Sequence, residues 1–153
     1  MNFVRWKPSM TPEEQKSLLL GVVVQLAVKL LEEDGFYPFG AVLGRKRNAQ
    51  LLMPKGWKSN STRDEVEGYW FKELRKSTAT GDYVAACFCA DVRVPIDTGK
   101  LVPAMLVHIE HAEASAEDGL YPYLKDEQSK VSLGSPTFVV TAPQIFIPSG
   151  GPY

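Results

Sequence analysis

Histidine is nearly absent from this sequence of 153 residues, and its two copies, His108 and His111, both fall inside the stretch "AMLVHIEHAEA". Cysteine is as scarce. Cys87 and Cys89 stand two apart, too close on a strand for an unstrained bridge, so no disulfide framework is expected and the thiols read as reduced. Charge of one sign is missing too. A net charge of -1 gives no global attraction to nucleic acid or to an anionic membrane. The longest apolar run, residues 18–31, is too short to span a bilayer and is interrupted by Gln25 and Lys29. Carboxylates in "TPEEQK" precede it where a signal peptide would be basic, and no small-residue cleavage site follows, so a cytoplasmic protein is expected. There is no phosphate-binding loop, nucleophile elbow or dinucleotide fingerprint, and no cofactor is expected.

What is present reads as one domain over residues 1–153, with an irregular arm at 1–10 and a loose tail at 148–153. In "TPEE", Thr11 suits a helix N-cap, Pro12 the first turn and Glu14 a capping box; the helix should end at Gly35. Its apolar stripe (Leu19, Val23, Leu26, Leu30, widened by Leu20, Val24, Val28, Leu31) is broad enough for burial against a sheet and against a second copy of the chain. A hairpin over 36–53 follows, with its turn at "GRKRN". A second helix starts at the Thr62/Glu65 capping box and ends near Thr78, with Val66, Tyr69, Trp70 and Leu74 inward. Strands are then expected at 83–94, 101–111, 120–125 and 137–147. The fold class is α+β: an antiparallel sheet of five to six strands with two main helices, in the order α-β-β-α-β-β-β(-β).

On a strand His108 and Glu110 share a face and His111 points the other way. Matching the more apolar face of the strand at 83–94 (Val84, Ala86, Phe88, Ala90, Val92) to Met105, Val107 and Ile109 of the next sets the register, with the same parity as a two- or four-residue turn at "DTG". That parity puts Cys87 and Cys89 on one face with His108 and Glu110. Thiolate, imidazole and carboxylate are zinc ligands, and a thiol beside a histidine is the pattern of a covalent nucleophile, so these four residues define the enzyme reading, metal-binding or thiol-dependent. The same cysteines also suit a strand simply as small hydrophobes.

Two surfaces offer a binding reading instead. Arg45, Lys46 and Arg47 at the hairpin tip, with Lys55, Trp57 and Lys58 after it, form a basic patch of the kind that holds phosphate and stacks a base; set against the neutral overall charge, edge protection and solvation are its simpler role, and nucleic acid is not the expected partner. Glu113, Glu117 and Asp118 read as an acidic loop after the histidine strand, and with Tyr121, Tyr123 and Trp57 they suit a basic protein partner.

The runs "FYPFGAVL", "ACFCADVRV" and "LVHIEHAE" resemble small bacterial α+β proteins of unassigned function, and the build resembles immunity proteins that neutralise a toxin; the element order is similar to profilin-like and roadblock-like domains. The resemblance implies a cytosolic protein-binding module with a basic toxin as its partner. It carries over no catalytic residue.

Overall fold

The computed structural model describes residues 10–52 and 62–147. The arm, the tail and residues Lys55, Trp57 and Lys58 of the expected surfaces therefore fall outside the described residues, Met10 excepted. Both helices begin where the sequence caps them. Thr11 Oγ1 accepts the backbone N–H of Glu14 at 3.1 Å, and Glu14 Oε1 accepts that of Thr11 at 2.8 Å, opening α1 at Pro12–Glu33. Thr62 and Glu65 repeat this reciprocal pair ahead of α2, Arg63–Thr78. Each box satisfies amide groups that a first helical turn leaves without partners. The chain leaves α1 through Gly35, whose φ of +89° is the left-handed conformation a helix stop requires.

The strands are β1 (Phe39–Gly44), β2 (Ala49–Leu52), β3 (Tyr83–Pro95), β4 (Leu101–His111), β5 (Ala114–Lys125), β6 (Val131–Leu133) and β7 (Thr137–Thr141). All pairs are antiparallel, in the order β2-β1-β3-β4-β5-β6, and β7 lies against the same side of β5 as β6, nearer its start. The α+β class and the element order match the sequence reading. The expected five to six strands become seven because "VSL", taken as part of a turn, pairs with the end of β5. The last expected strand, 137–147, stops at Thr141. β5 starts six residues earlier than expected: the acidic "loop" is a two-residue turn, Ala112 and Glu113, and the remainder is strand paired on both sides. Pairing has overridden the weak strand preference of Ala, Glu, Asp and Gly.

The two helices cover opposite faces of the sheet. α1 lies over Ala41, Cys87, Cys89, Val107 and Ile109, with Leu19, Val23, Ala27 and Leu31 buried at four-residue spacing along it. α2 lies over Gly40, Phe88 and His108, with Trp70 and Leu74 against Gly40 and the Phe71 ring 5.8 Å from that of Phe88. Tyr69, expected inward, is 37% exposed and meets Trp70 edge-on from the rim. With both faces covered, the centres of β3 and β4 are buried at every position.

That double burial is why the register of β3 on β4 was misread. The ladder pairs Cys87 with Ile109 and Phe88 with His108, so the cysteines face α1 while His108 and Glu110 face α2. The turn holds an odd number of residues: Ile96 donates its N–H to Lys100 O, and Gly99 turns at φ +83° between them. An odd turn reverses the parity that an even one gives, and two apolar faces offer no pattern against which to notice.

Gly40 sits hard against α2, where a Cβ would lie 3.0 Å from the Trp70 ring and 3.2 Å from Leu74 Cδ2. Gly40→Ala is expected to cost about 1–3 kcal/mol by overpacking, seen as a lower urea midpoint. Gly68, where a Cβ meets nothing within 4 Å, supplies the contrast: Gly68→Ala should raise stability by up to about 1 kcal/mol through helix propensity. An unchanged midpoint for Gly40→Ala would mean that α2 steps back at no cost.

Candidate functional site

β4 and β5 bring three titratable side chains into line on the α2 face. His108 lies across the ladder from Asp118, and its Nδ1 meets Asp118 Oδ1 at 2.6 Å. Its Nε2 meets Oε2 of Glu110, two residues along the same face, also at 2.6 Å. His108 and Glu110 are 4% and 1% exposed, and the Phe71 ring stands edge-on to the imidazole at 5.1 Å. Asp118 is the member that reaches solvent, with 36% of its side chain exposed.

Glu110 has a second set of partners. The backbone N–H groups of Gln144, Ile145 and Phe146 all donate to its carboxylate, those of Ile145 and Phe146 at 3.0 and 2.9 Å. Successive amides converging in this way make a nest for an anion, filled here by a side chain of the same protein. The register of β4 against β5 shifts beside Glu110, between Ile109 and His111, where an irregularity re-aims side chains locally.

These contacts set the protonation states. Burial disfavours a charged His108, but hydrogen bonds to Asp118 and then Glu110 outweigh it and push the pKa up to about 9. Burial likewise disfavours charge on Glu110, and there the hydrogen bonds from His108 and from the amides of Gln144, Phe146 and Ile145 prevail, holding it below the ordinary carboxylate value. Near neutral pH the site is an imidazolium held between two carboxylates, with both ring N–H groups committed.

The open side of this row is a cleft of about 240 Å³ between α2 and the strands, lined by Glu67, Phe71, Phe88, Leu106, His108, Asp118, Thr141, Ala142 and Gln144. Sequence reasoning singled out His108, Glu110 and Asp118 but put Asp118 in a loop, and it missed Phe71, Thr141 and Gln144. The tight turn at residues 112 and 113 alone would set Glu117 opposite His108; the register shift beside Glu110 moves Asp118 there, and no sequence signal marks that shift.

The other expected sites are dispersed. Cys87 and Cys89 are buried on the α1 face, and burial pushes both thiols up, away from the thiolate a nucleophile or ligand needs. The four-residue Cys/His/Glu cluster is therefore not assembled, and among the described residues no three of His, Cys, Asp or Glu are placed to hold a metal ion. His111 faces α1, takes the N–H of Glu113 on Nδ1 at 2.9 Å and meets Gln15 Oε1 through Nε2 at 2.6 Å, so its partners suit the neutral ring. Burial keeps its pKa below the ordinary value. Of the expected partner surface, Glu113 is exposed on the turn, Glu117 holds the buried Lys16 at 2.6 Å on the α1 face, and Asp118 holds His108 on the other. Tyr121 and Tyr123 are not exposed anchors: both are buried under the α1 side of the sheet, and Tyr123 Oη donates to Asp91 at 2.7 Å. At the hairpin tip Arg45, Lys46 and Arg47 are exposed, with Arg45 Nε donating to Gly81 O at 2.8 Å and so bracing the turn after α2.

The pH dependence of stability follows from the two shifted groups. His108, raised from 6.5 to about 9, contributes fully below pH 6.5 and loses its contribution as pH rises through about 9. Glu110, lowered from 4.5, contributes above pH 4.5 and loses its contribution as pH falls through its lowered value. Urea midpoints are expected to fall on the alkaline limb between about pH 6.5 and 9. Glu110→Gln should cost about 3–5 kcal/mol, because it removes the more deeply buried of the two carboxylates that neutralise His108, and should flatten that limb. A limb as steep as the wild type's would assign the alkaline loss to other groups.

No protein-family model, no curated protein and no solved structure matches the chain, so the reading of this site rests on its own geometry.

Proposed function

We propose that the chain is a protein-binding module that takes an extended, basic segment of its partner along β7, the form in which an immunity-type inhibitor would hold a basic toxin. One observation carries this reading. β7 is an edge strand of five residues, "TFVVT", with no charge, and Phe138, Val139 and Val140 are 37%, 55% and 72% exposed. Among the described residues no strand pairs with its outer side. Edges are ordinarily blunted by charge, proline or a bulge, and an uncharged β-branched edge is a template for strand addition.

The preference for a basic segment comes from what flanks the strand. Glu117 and Asp118 lie across the ladder from Val140 and Val139 and point to opposite faces of the sheet. On the α1 face Glu117 and Glu13 accompany Lys16; on the α2 face Asp118 and Glu67 line the cleft with His108. Lys16 and His108 are buried while Glu13 and Asp118 reach solvent, so an approaching strand meets these carboxylates before the cations they pair with. Such a pattern steers a cationic partner.

The reading is tested with randomised ten-residue peptides displayed against the protein. Selected peptides should be basic and β-prone, and their binding should shift the amide signals of residues 137–141. Val140→Lys places a charge on the edge at an exposed site, where substitution changes stability by less than about 0.5 kcal/mol. It should abolish capture at an unchanged urea midpoint. Acidic or helical winners, or capture that survives Val140→Lys, would overturn the reading.

A further inference from the structure

We infer that the cleft between α2 and β7 is a binding site for a guanidinium group. The inference goes beyond strand addition, since the cleft lies on the α2 face of the sheet rather than along its edge.

Size comes first. At about 240 Å³ the cleft is smaller than the roughly 300–1,000 Å³ of ordinary small-molecule pockets, so it fits one side chain or a small amine rather than a cofactor. Its walls are apolar on one side, from Phe71, Phe88 and Leu106, and polar on the other.

The polar side has acceptors left over and its strongest donors used up. The ring N–H groups of His108 are taken by Asp118 and Glu110, so the imidazolium has none to offer an anion. The backbone N–H of Gln144 is likewise taken by Glu110, and its carbonyl by Arg75 at 2.6 Å. What remains is Asp118 Oδ2 and the buried Thr141 Oγ1, for neither of which the described residues supply a hydrogen-bond partner. A buried hydroxyl without a partner costs on the order of 1–3 kcal/mol. A ligand that brings donors relieves that cost.

Charge agrees with the hydrogen bonding. His108 lies between the carboxylates of Asp118 and Glu110, and the Arg75 guanidinium lies behind Gln144. Two carboxylates on one imidazolium leave that row net negative, and Asp118 is its member that reaches solvent. A guanidinium suits it better than an ammonium: it spreads several N–H donors in one plane, pairs with a carboxylate at fixed geometry and is weakly hydrated enough to lie beside aromatic rings. Its apolar stem then runs along Phe71 and Phe88.

The test is a chemical-shift titration of the whole protein with N-acetyl-arginine amide, and with N-acetyl-citrulline amide, which has the same shape and no charge. Saturable shifts at His108, Asp118 and Thr141 are expected for the first and not for the second; equal binding of the two, or none, overturns the inference. Asp118→Asn should weaken binding at least about tenfold, equivalent to about 1.4 kcal/mol. Thr141→Val keeps both shape and strand preference, and covers the case in which Asp118→Asn fails to fold. It should weaken binding about threefold to tenfold without lowering the urea midpoint, and undiminished affinity would overturn the inference. An arginine within a basic peptide that binds more tightly than the free amide identifies a protein as the source; equal affinities identify a small guanidine. If the amide fails to bind while Val140→Lys still abolishes peptide capture, the guanidinium site is refuted and strand addition stands.

Discussion

A positive charge buried in a sheet covered on both sides has to be neutralised within a few ångströms, and the α2 half of this fold is arranged around that requirement at His108. One carboxylate comes from β5 across the ladder and one from β4 itself. The second, Glu110, is buried more completely than the histidine it serves, so it needs partners of its own, and it obtains them from three consecutive amides of residues 144–146. A chain of necessity thus runs from a single imidazole to the path of the C-terminal segment. Ile145 is pinned into the core as a consequence, and Gln144 is fixed at the wall of the cleft. Buried ion pairs add little net stability when compared with well-packed apolar side chains, so the gain here lies in where the segment is held.

The α1 half repeats the device with different chemistry. Lys16 is 4% exposed and is held by Glu117 and by the carbonyl of Ser115, both on β5. Glu117 and Asp118 are neighbours, and strand alternation sends one to each face. A single dipeptide therefore anchors a helix on one side and neutralises a histidine on the other. It also lies under β7, paired with Val140 and Val139. The acidic pair consequently does two things at once: it fixes the layers and leaves negative charge beside the open edge. The proposal of a basic rather than an acidic partner rests on this charge.

How much of this was legible in the sequence depended on whether the signal was local. Capping boxes are four-residue statements, and both helices start where "TPEE" and "TRDE" place them. The separation of His111 from His108 and Glu110 is equally local, following from alternation along one strand, and it holds. The pairing of the cysteines with His108 required the number of residues in a turn about ten positions from each, and the odd turn at Gly99 reversed it. An amphipathic sheet would have exposed that error, because one parity would have put apolar side chains in water. In β3 and β4 both faces are apolar, so matching the more apolar face of each strand chose the wrong parity and nothing contradicted it. The acidic segment was misread for a related reason: "AEASAEDG" has turn composition, and only its neighbours on both sides make it a strand. Tyr121 and Tyr123 then moved with it from an imagined surface into the core.

The chemistry of the site separates recognition from catalysis more sharply than its residue types do. A histidine, two carboxylates and a threonine in one cleft form a set from which acid–base catalysts are drawn. A general base, however, needs a lone pair within reach of a substrate proton. His108 has none to give while its pKa stands near 9 and both nitrogens are bonded. Nor can it serve readily as an acid, because each proton already lies against a carboxylate that would have to be abandoned. The thiols are on the other side of the sheet, buried and protonated. The groups still able to form new bonds in the cleft, Asp118 Oδ2 and Thr141 Oγ1, are fixed on β5 and β7 by a paired ladder, and rigid acceptors on strands suit selecting a ligand by its shape and donors. The same charge cluster that fixes the fold therefore commits both nitrogens of its histidine, and what it leaves open toward solvent is the carboxylate of Asp118.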